Sequence, residues 1–146
     1  MKRISFDEYF MKMAQLVAER STCLSRQVGA VIVRDNHVIS TGYNGAPKGA
    51  RHCLDTGCIR QKLNIPSGER LDICKAVHAE QNAIIEAAYN GVSTKDASIY
   101  VTVTPCFACA KMIVNAGIKE VVIQGEYPAL NSRSLFEEVG IKIRKL

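Results

Sequence analysis

Two short motifs, separated by enough chain for a helix and a strand, constrain how this sequence can fold. The first is His78-Ala79-Glu80 and the second is Pro105-Cys106-Phe107-Ala108-Cys109. One histidine and two cysteines suit zinc, and three protein ligands leave the fourth corner of a tetrahedral site open for water. An open corner distinguishes a catalytic zinc site from a structural one. We therefore expect a fold that brings both motifs to one metal, with His78, Cys106 and Cys109 as its ligands.

Glu80 lies two positions after His78 and cannot easily bind the same metal, so we assign it to proton transfer. H-x-E followed by P-C-x-x-C is the established signature of zinc-dependent base deaminases. In that chemistry Glu80 would take a proton from the attacking water and pass it to a ring nitrogen. It would then deliver a second proton to the departing ammonia. Each motif alone has a common alternative, a capping histidine or a redox cysteine pair, but the two together favour deamination.

The overall composition limits the classes of protein to which the chain can belong. The chain has 146 residues, 47% of them hydrophobic and 23% charged, which predicts a single globular domain over residues 1–146. No apolar run could cross a membrane and the amino terminus lacks the apolar segment of a secretion signal, so we expect a cytoplasmic protein without a membrane partner. The formal net charge of +5 suits either plain solubility or an anionic ligand such as a nucleotide phosphate.

The spacing of apolar residues predicts an α/β fold. A capping box at Ser5 to Glu8 begins a helix from Phe6 to about Arg20. Strands at Val28–Val33 and Val38–Tyr43 flank the turn residues Asp35-Asn36 and predict a hairpin. Helices and strands then alternate at Val77–Asn90, Ile99–Val103, Pro105–Ala116, Val121–Ile123, Leu135–Val139 and Ile141–Ile143. This alternation predicts parallel strands joined by right-handed crossovers, with helices on both faces of the sheet.

Residues 44–76 have no periodic pattern, although a loop of this length is uncommon in a compact domain. We expect a short helix near Cys58 to Leu63 and a structural zinc that keeps the segment ordered. Four cysteines could form such a closed site: Cys23, Cys53, Cys58 and Cys74. The alternative is that these residues are buried free thiols.

At this point a family resemblance can be stated. The segments that carry it are STCLSRQVGAVIV, STGYNGAPKG, HC…GC, IPSGER, VHAEQNAI, YVTVTPCFACAKMIVNAGIKEVV and Tyr127. In this order they cover nearly the whole chain, which resembles the deoxycytidylate (dCMP) deaminases of the cytidine deaminase superfamily. The resemblance implies a three-layer α/β/α cytidine-deaminase-like fold with a mixed five-stranded sheet. It also implies hydrolytic deamination of dCMP to dUMP and ammonia, which supplies dUMP for thymidylate synthesis.

The resemblance assigns four substrate contacts. It implies that Asn44 contacts the sugar 3′-hydroxyl, that the backbone at Ala79 contacts the pyrimidine carbonyl, and that Arg26 contacts the phosphate. Tyr127 would close over the bound nucleotide. Three of these residues have another interpretation: Asn44 as a turn residue with left-handed geometry, Arg26 as a solvated charge and Tyr127 as core packing.

Further properties follow from the resemblance alone. They are a hexamer, activation by dCTP and inhibition by dTTP, with the GYNG segment involved in effector binding. Some members of the family carry a second zinc near residues 44–76. Cys23 and Cys53 match that pattern best, and His52 could replace one of the other cysteines.

Two alternatives remain open. Another deaminase of the same fold would act on cytosine, guanine, a riboflavin precursor or a tRNA adenosine, but the GYNG segment, Arg26 and residues 44–76 argue against it. A non-catalytic zinc module for nucleic acid would predict a second C-x-x-C and a basic or aromatic stripe. The chain has one C-x-x-C and no run of Lys or Arg, so we expect no nucleic-acid partner.

Overall fold

The computed structural model describes residues 1–146 and contains six helices and five strands. In chain order they are α1 Phe6–Ala18, β1 Gly29–Arg34, β2 His37–Tyr43, α2 Cys53–Thr56, α3 Ile59–Lys62, α4 Ala79–Tyr89, β3 Ser98–Val103, α5 Phe107–Asn115, β4 Glu120–Gly125, α6 Leu130–Val139 and β5 Lys142–Lys145. No helix is both long enough and apolar enough to cross a membrane.

The five strands form one mixed sheet in the order β2-β1-β3-β4-β5. β1 runs antiparallel to both of its neighbours, whereas β3, β4 and β5 are parallel to one another. The hairpin between β1 and β2 closes through Asp35 and Asn36, which both have positive φ, as a type I′ turn requires. The mixed five-stranded sheet and the parallel second half confirm the sequence-based prediction.

Helices cover both faces of the sheet and give three layers. On one face, α1 packs through Phe10 and Ala14 against Val31 of β1 and Tyr100 of β3. On the other face, the buried residues of α4, α5 and α6 form the larger core with alternate residues of β1, β3 and β4. Because successive side chains of a strand point to opposite faces, β1 contributes Val31 to one core and Ile32 to the other.

Several predicted boundaries are wrong by two to five residues. The first helix ends at Ala18, not Arg20, and α6 begins at Leu130, not Leu135. The first turn of α6 has few apolar residues, so its start is invisible to periodicity. Pro105 precedes the N-cap Cys106 and does not itself open α5. In the 44–76 segment α3 matches the predicted short helix, whereas α2 is additional.

Two glycines allow helices to lie directly on the sheet. A Cβ atom at Gly42 of β2 would lie 2.3 Å from the carbonyl oxygen of Ala79 and 2.4 Å from the nitrogen of Ala83. A Cβ atom at Gly29 of β1 would lie 2.0 Å from the carbonyl oxygen of Ala14. Gly42 therefore sets the distance between β2 and the first turn of α4, which holds one of the two sequence motifs.

We expect Gly42→Ala to lower the free energy of unfolding by about 1–3 kcal/mol, because the added methyl group forces α4 away from the sheet. The variant should also bind less zinc, since α4 carries His78. Gly29→Ala is the matched control: it should destabilise the protein to a similar extent through α1 and keep its zinc. Urea denaturation and metal analysis measure both quantities, and wild-type stability and zinc content in Gly42→Ala would contradict this packing.

Candidate active site

The three predicted zinc ligands meet at the N-termini of two helices. His78 is the N-cap residue of α4, Cys106 is the N-cap residue of α5, and Cys109 lies in the first turn of α5. The Nδ1 atom of His78 is 3.4 Å from the Cys106 Sγ and 3.3 Å from the Cys109 Sγ. Tetrahedral zinc, with bonds of about 2.3 Å to sulfur and about 2.0 Å to nitrogen, requires a separation of about 3.5 Å between these ligands. The donor set and its spacing therefore fit zinc.

This cluster is distinct within the protein. Its ligand atoms all lie within 4.8 Å of one another, and no other group of three His, Cys, Asp or Glu residues does so. A hydrogen bond from Cys109 holds the pKa of the Cys106 thiol well below its usual range. The same hydrogen bond raises the pKa of Cys109, so the pair favours the thiolate form, which binds a metal, at Cys106.

Side-chain hydrogen bonds fix the start of α4 and join it to the end of β2. The Gln81 side chain accepts a hydrogen bond of 3.0 Å from the His78 N–H, and the Asn82 side chain donates one of 2.8 Å to the Tyr43 carbonyl. Gly45 and Val77 form an isolated antiparallel bridge just before the helix. This bridge joins the two ends of the 46–76 segment one residue before His78.

Glu80 lies in the first turn of α4 and is 4% exposed. Burial raises the pKa of its carboxyl group. A raised pKa brings the protonated and ionised forms closer in free energy near neutral pH, which suits a group that both accepts and donates a proton. The position and environment of Glu80 are therefore appropriate for proton transfer beside a metal.

A cavity of about 130 Å³ lies next to these residues. It is lined by His78, Glu80 and Cys106. All four predicted substrate contacts also line it: Arg26, Asn44, Ala79 and Tyr127. The structure thus brings two of the predicted metal ligands, the predicted proton carrier and the predicted substrate contacts to one cavity.

Comparison with known families decides the relationship. The family described as "Cytidine and deoxycytidylate deaminase zinc-binding region" matches residues 4–124, which include both motifs.

The chain belongs to the cytidine and deoxycytidylate deaminase family.

Individual relatives agree with this assignment. The deoxycytidylate deaminase of Schizosaccharomyces pombe is 44% identical over 144 residues, which are 98% of this chain but 44% of that protein. The chain therefore spans less than half the length of this relative. The deoxycytidylate deaminase of Mycobacterium phage D29 is 40% identical over 131 residues, covering 86% of this chain and 99% of the phage protein. The crystal structure of the dCMP deaminase from cyanophage S-TIM5 with dCMP and dUMP matches with a TM-score of 0.81 at 28% identity, covering 100% of both chains.

In this member of the deaminase family, the Asn44 side chain hydrogen-bonds to the backbone of the segment before β1, which forms part of the cavity wall. Its Nδ2 donates to the Arg26 carbonyl at 2.8 Å, and its Oδ1 accepts from the Val28 N–H at 2.9 Å. Neither Asn44 nor Gly45 has positive φ, so the alternative of a left-handed turn residue is wrong. Asn44 holds the short segment that presents Arg26 to the cavity.

Arg26 and Tyr127 form a stacked pair. The guanidinium carbon of Arg26 lies 4.6 Å from the centroid of the Tyr127 ring, a cation–π contact. The backbone N–H of Tyr127 donates to the Thr104 hydroxyl at 3.1 Å, which ties Tyr127 to the end of β3. Tyr127 lies at the cavity edge and is half-buried, so it does not belong to the core. Arg26, although exposed, is held in place by the ring.

The four remaining cysteines lie near one another but do not form a comparable cluster. Cys53, Cys58 and Cys74 line a second cavity, while Cys23 and Cys74 line the cavity beside Glu80. No three of these sulfurs lie within 4.8 Å of one another, and all six cysteines of the chain are free thiols. His52, the suggested substitute ligand, is exposed. The structural zinc therefore stays a prediction.

One charged residue of the cavity was not foreseen from the sequence. Arg60 of α3 is buried and lines the same cavity as Glu80. It comes from the aperiodic 44–76 segment, where no local pattern indicates which side chains point inward.

Proposed function

We propose that this protein catalyses the zinc-dependent hydrolytic deamination of dCMP to dUMP and ammonia and so supplies dUMP for thymidylate synthesis. The main support is one cavity that is lined by two of the three zinc ligands, His78 and Cys106, together with Glu80 and Arg26. Relatives that are 40–44% identical and bear the name deoxycytidylate deaminase support the choice of dCMP. A base-specific pocket without a cation would suit free cytosine or guanine equally well, but Arg26 favours a phosphorylated substrate.

The proposed reaction uses water as the nucleophile. Zinc held by His78, Cys106 and Cys109 would lower the pKa of water to about 7 and so make hydroxide available at neutral pH. The carboxylate of Glu80 accepts the proton of the attacking water and transfers it to a ring nitrogen of the base. The water oxygen bonds to the amine-bearing carbon, and the carbon–nitrogen bond then breaks. Glu80 then takes the remaining proton from the new hydroxyl group, which becomes the carbonyl of the product, and delivers it to the departing ammonia. Burial of Glu80 keeps bulk water from competing for that proton.

Three further residues would position the substrate. The backbone N–H of Ala79 lies in the first turn of α4, where no intrahelical acceptor exists, and is free to donate to the pyrimidine carbonyl. The Asn44 amide makes one hydrogen bond through each polar atom and retains a second N–H for the sugar 3′-hydroxyl. Tyr127 would cover the nucleotide from the cavity edge.

Assembly, regulation and location are proposed on the family likeness. We propose a homohexamer that dCTP and dTTP regulate through the GYNG segment, residues 42–45, and a cytoplasmic location suited to a nucleotide substrate. An exposed apolar surface on α4 and α5 supports self-association. Ile85 is 55% exposed, Met112 45% and Phe107 43%.

Glu80→Gln should reduce turnover of dCMP by about 10²–10⁴-fold while zinc stays bound, because the amide keeps the shape of the side chain but cannot carry a proton. Loss of absorbance on deamination measures turnover, and metal analysis measures zinc. Glu138→Gln, an exposed residue of α6, is the control and should behave as wild type.

The same assay tests the substrate specificity of the protein. Wild-type protein should deaminate dCMP much faster than deoxycytidine, cytosine or guanine. Equal rates on deoxycytidine and dCMP would contradict the phosphate requirement, and full activity in Glu80→Gln would contradict the proton-transfer role.

We also propose that Cys23, Cys53, Cys58 and Cys74 bind a second, structural zinc after their side chains turn toward one another. Support comes from the shared cavity of Cys53, Cys58 and Cys74. Metal analysis should then give two zinc ions per chain in the wild type and one in both Cys53→Ser and Cys106→Ser. Of these two variants, only Cys106→Ser should lose the catalytic zinc and, with it, the deaminase activity. One zinc per chain in the wild type would show that the four cysteines bind no metal.

A further inference from the structure

Arg60 is a buried cation without an ionic partner. The residue is 9% exposed and lies on α3, within the aperiodic 44–76 segment. None of the five salt bridges of the protein includes it, so no carboxylate lies within 4.0 Å of its guanidinium. Its one protein hydrogen bond is long, 3.3 Å from a terminal nitrogen to the Glu69 carbonyl. Its Nε–H is buried and has no acceptor.

Such an arrangement is costly in the free protein. A charged group that is removed from water without a partner loses several kcal/mol of solvation. A buried donor without an acceptor adds a further cost. Both costs fall when an anion binds beside the guanidinium, because the anion supplies charge and acceptors together.

The cavity has room for an anion and little negative charge to oppose it. Apart from the predicted metal ligands, the charged residues that line it are Arg26, Arg60 and Glu80. Arg26 comes from the segment before β1, whereas Arg60 comes from α3, so two distant parts of the chain contribute a guanidinium. The hydroxyl-bearing residues Ser25 and Ser67 line the same cavity. Two cations and two hydroxyls match a phosphate monoester, which carries a charge of about −1.5 to −2 at neutral pH.

We propose that Arg60 is a specificity-determining residue that binds the 5′-phosphate of the substrate together with Arg26. The proposal rests on the proposed function, because it names the part of dCMP that Arg60 binds. Arg26 is exposed and is already held by Tyr127, so it can attract and orient the phosphate. Arg60 is buried and lacks a partner, so it discriminates between substrates with and without a phosphate. A nucleoside in the cavity leaves the Arg60 charge unpaired, and sites that leave a buried polar group unpaired reject a ligand strongly.

The 44–76 segment thereby becomes part of the substrate site. Arg60 lies two residues after Cys58 and hydrogen-bonds to Glu69, so the segment must be ordered for the guanidinium to face the cavity. The competing explanation is a purely structural role, in which Arg60 only donates a hydrogen bond to the Glu69 carbonyl. The two roles differ in what they predict for a substrate without phosphate.

Arg60→Met removes the charge but retains much of the side-chain volume. We expect it to lower kcat/KM for dCMP by roughly 10- to 100-fold, the usual effect of losing a hydrogen bond between charged groups. The low kcat/KM for deoxycytidine should stay within about twofold of wild type. Arg51→Met, an exposed arginine of the same segment, is the matched control and should leave both values unchanged. An equal loss on dCMP and deoxycytidine, or no loss on either, would overturn the proposal.

A binding measurement separates this proposal from the proposed function. Inorganic phosphate should raise the melting temperature of the zinc-loaded wild type and of Arg51→Met, but not that of Arg60→Met. If the wild type fails to deaminate dCMP and yet shows this pattern, the proposed function is wrong and the anion site at Arg60 stands. A phosphate effect that persists in Arg60→Met overturns the anion site. If Arg60→Met does not fold, Arg60→Lys decides: a partial loss confined to dCMP supports the proposal, and an equal loss on both substrates overturns it.

Discussion

Burial of the Glu80 carboxyl group beside two sulfurs and an imidazole is the constraint on which the site depends. A buried carboxyl group is costly unless it is protonated or its neighbours supply hydrogen bonds and charge. Close packing of α4 on β2 at Gly42 and the bridge between Gly45 and Val77 hold Glu80 at this depth. The first turn of α5 then brings Cys106 and Cys109 to the same point. The sheet serves mainly to align these two helix N-termini.

The chemistry of this site could be predicted from the sequence because it depends on residue types at short spacing. His78 and Glu80 lie within one turn, as do Cys106 and Cys109, and the helix that carries the cysteines has apolar residues at helical spacing. The hairpin at Asp35-Asn36 was equally predictable, since both residues tolerate the positive φ that its turn requires. The mixed sheet follows from that hairpin together with the helix–strand alternation of the second half.

The 44–76 segment could not be predicted in the same way. Its two short helices are fixed by contacts with distant parts of the chain, such as the hydrogen bond from Gln61 to Ser25. Burial of Arg60 depends on those contacts and leaves no periodic trace in the sequence. The part of Asn44 in holding the Arg26 segment likewise depends on hydrogen bonds across 16 and 18 positions. The residues that would select the substrate therefore depend on contacts between distant parts of the sequence. The residues that would carry out the reaction lie in short motifs.

A crystal structure of the zinc-loaded protein, with anomalous diffraction recorded at the zinc edge, tests the central claim most directly. We expect an anomalous peak about 2.3 Å from the sulfurs of Cys106 and Cys109 and about 2.0 Å from the Nδ1 atom of His78. The Glu80 carboxylate should lie outside bonding distance of that peak. A zinc ion that is bound by Glu80, or the absence of zinc between these three ligands, would contradict the assignment of an open catalytic site with a separate proton carrier.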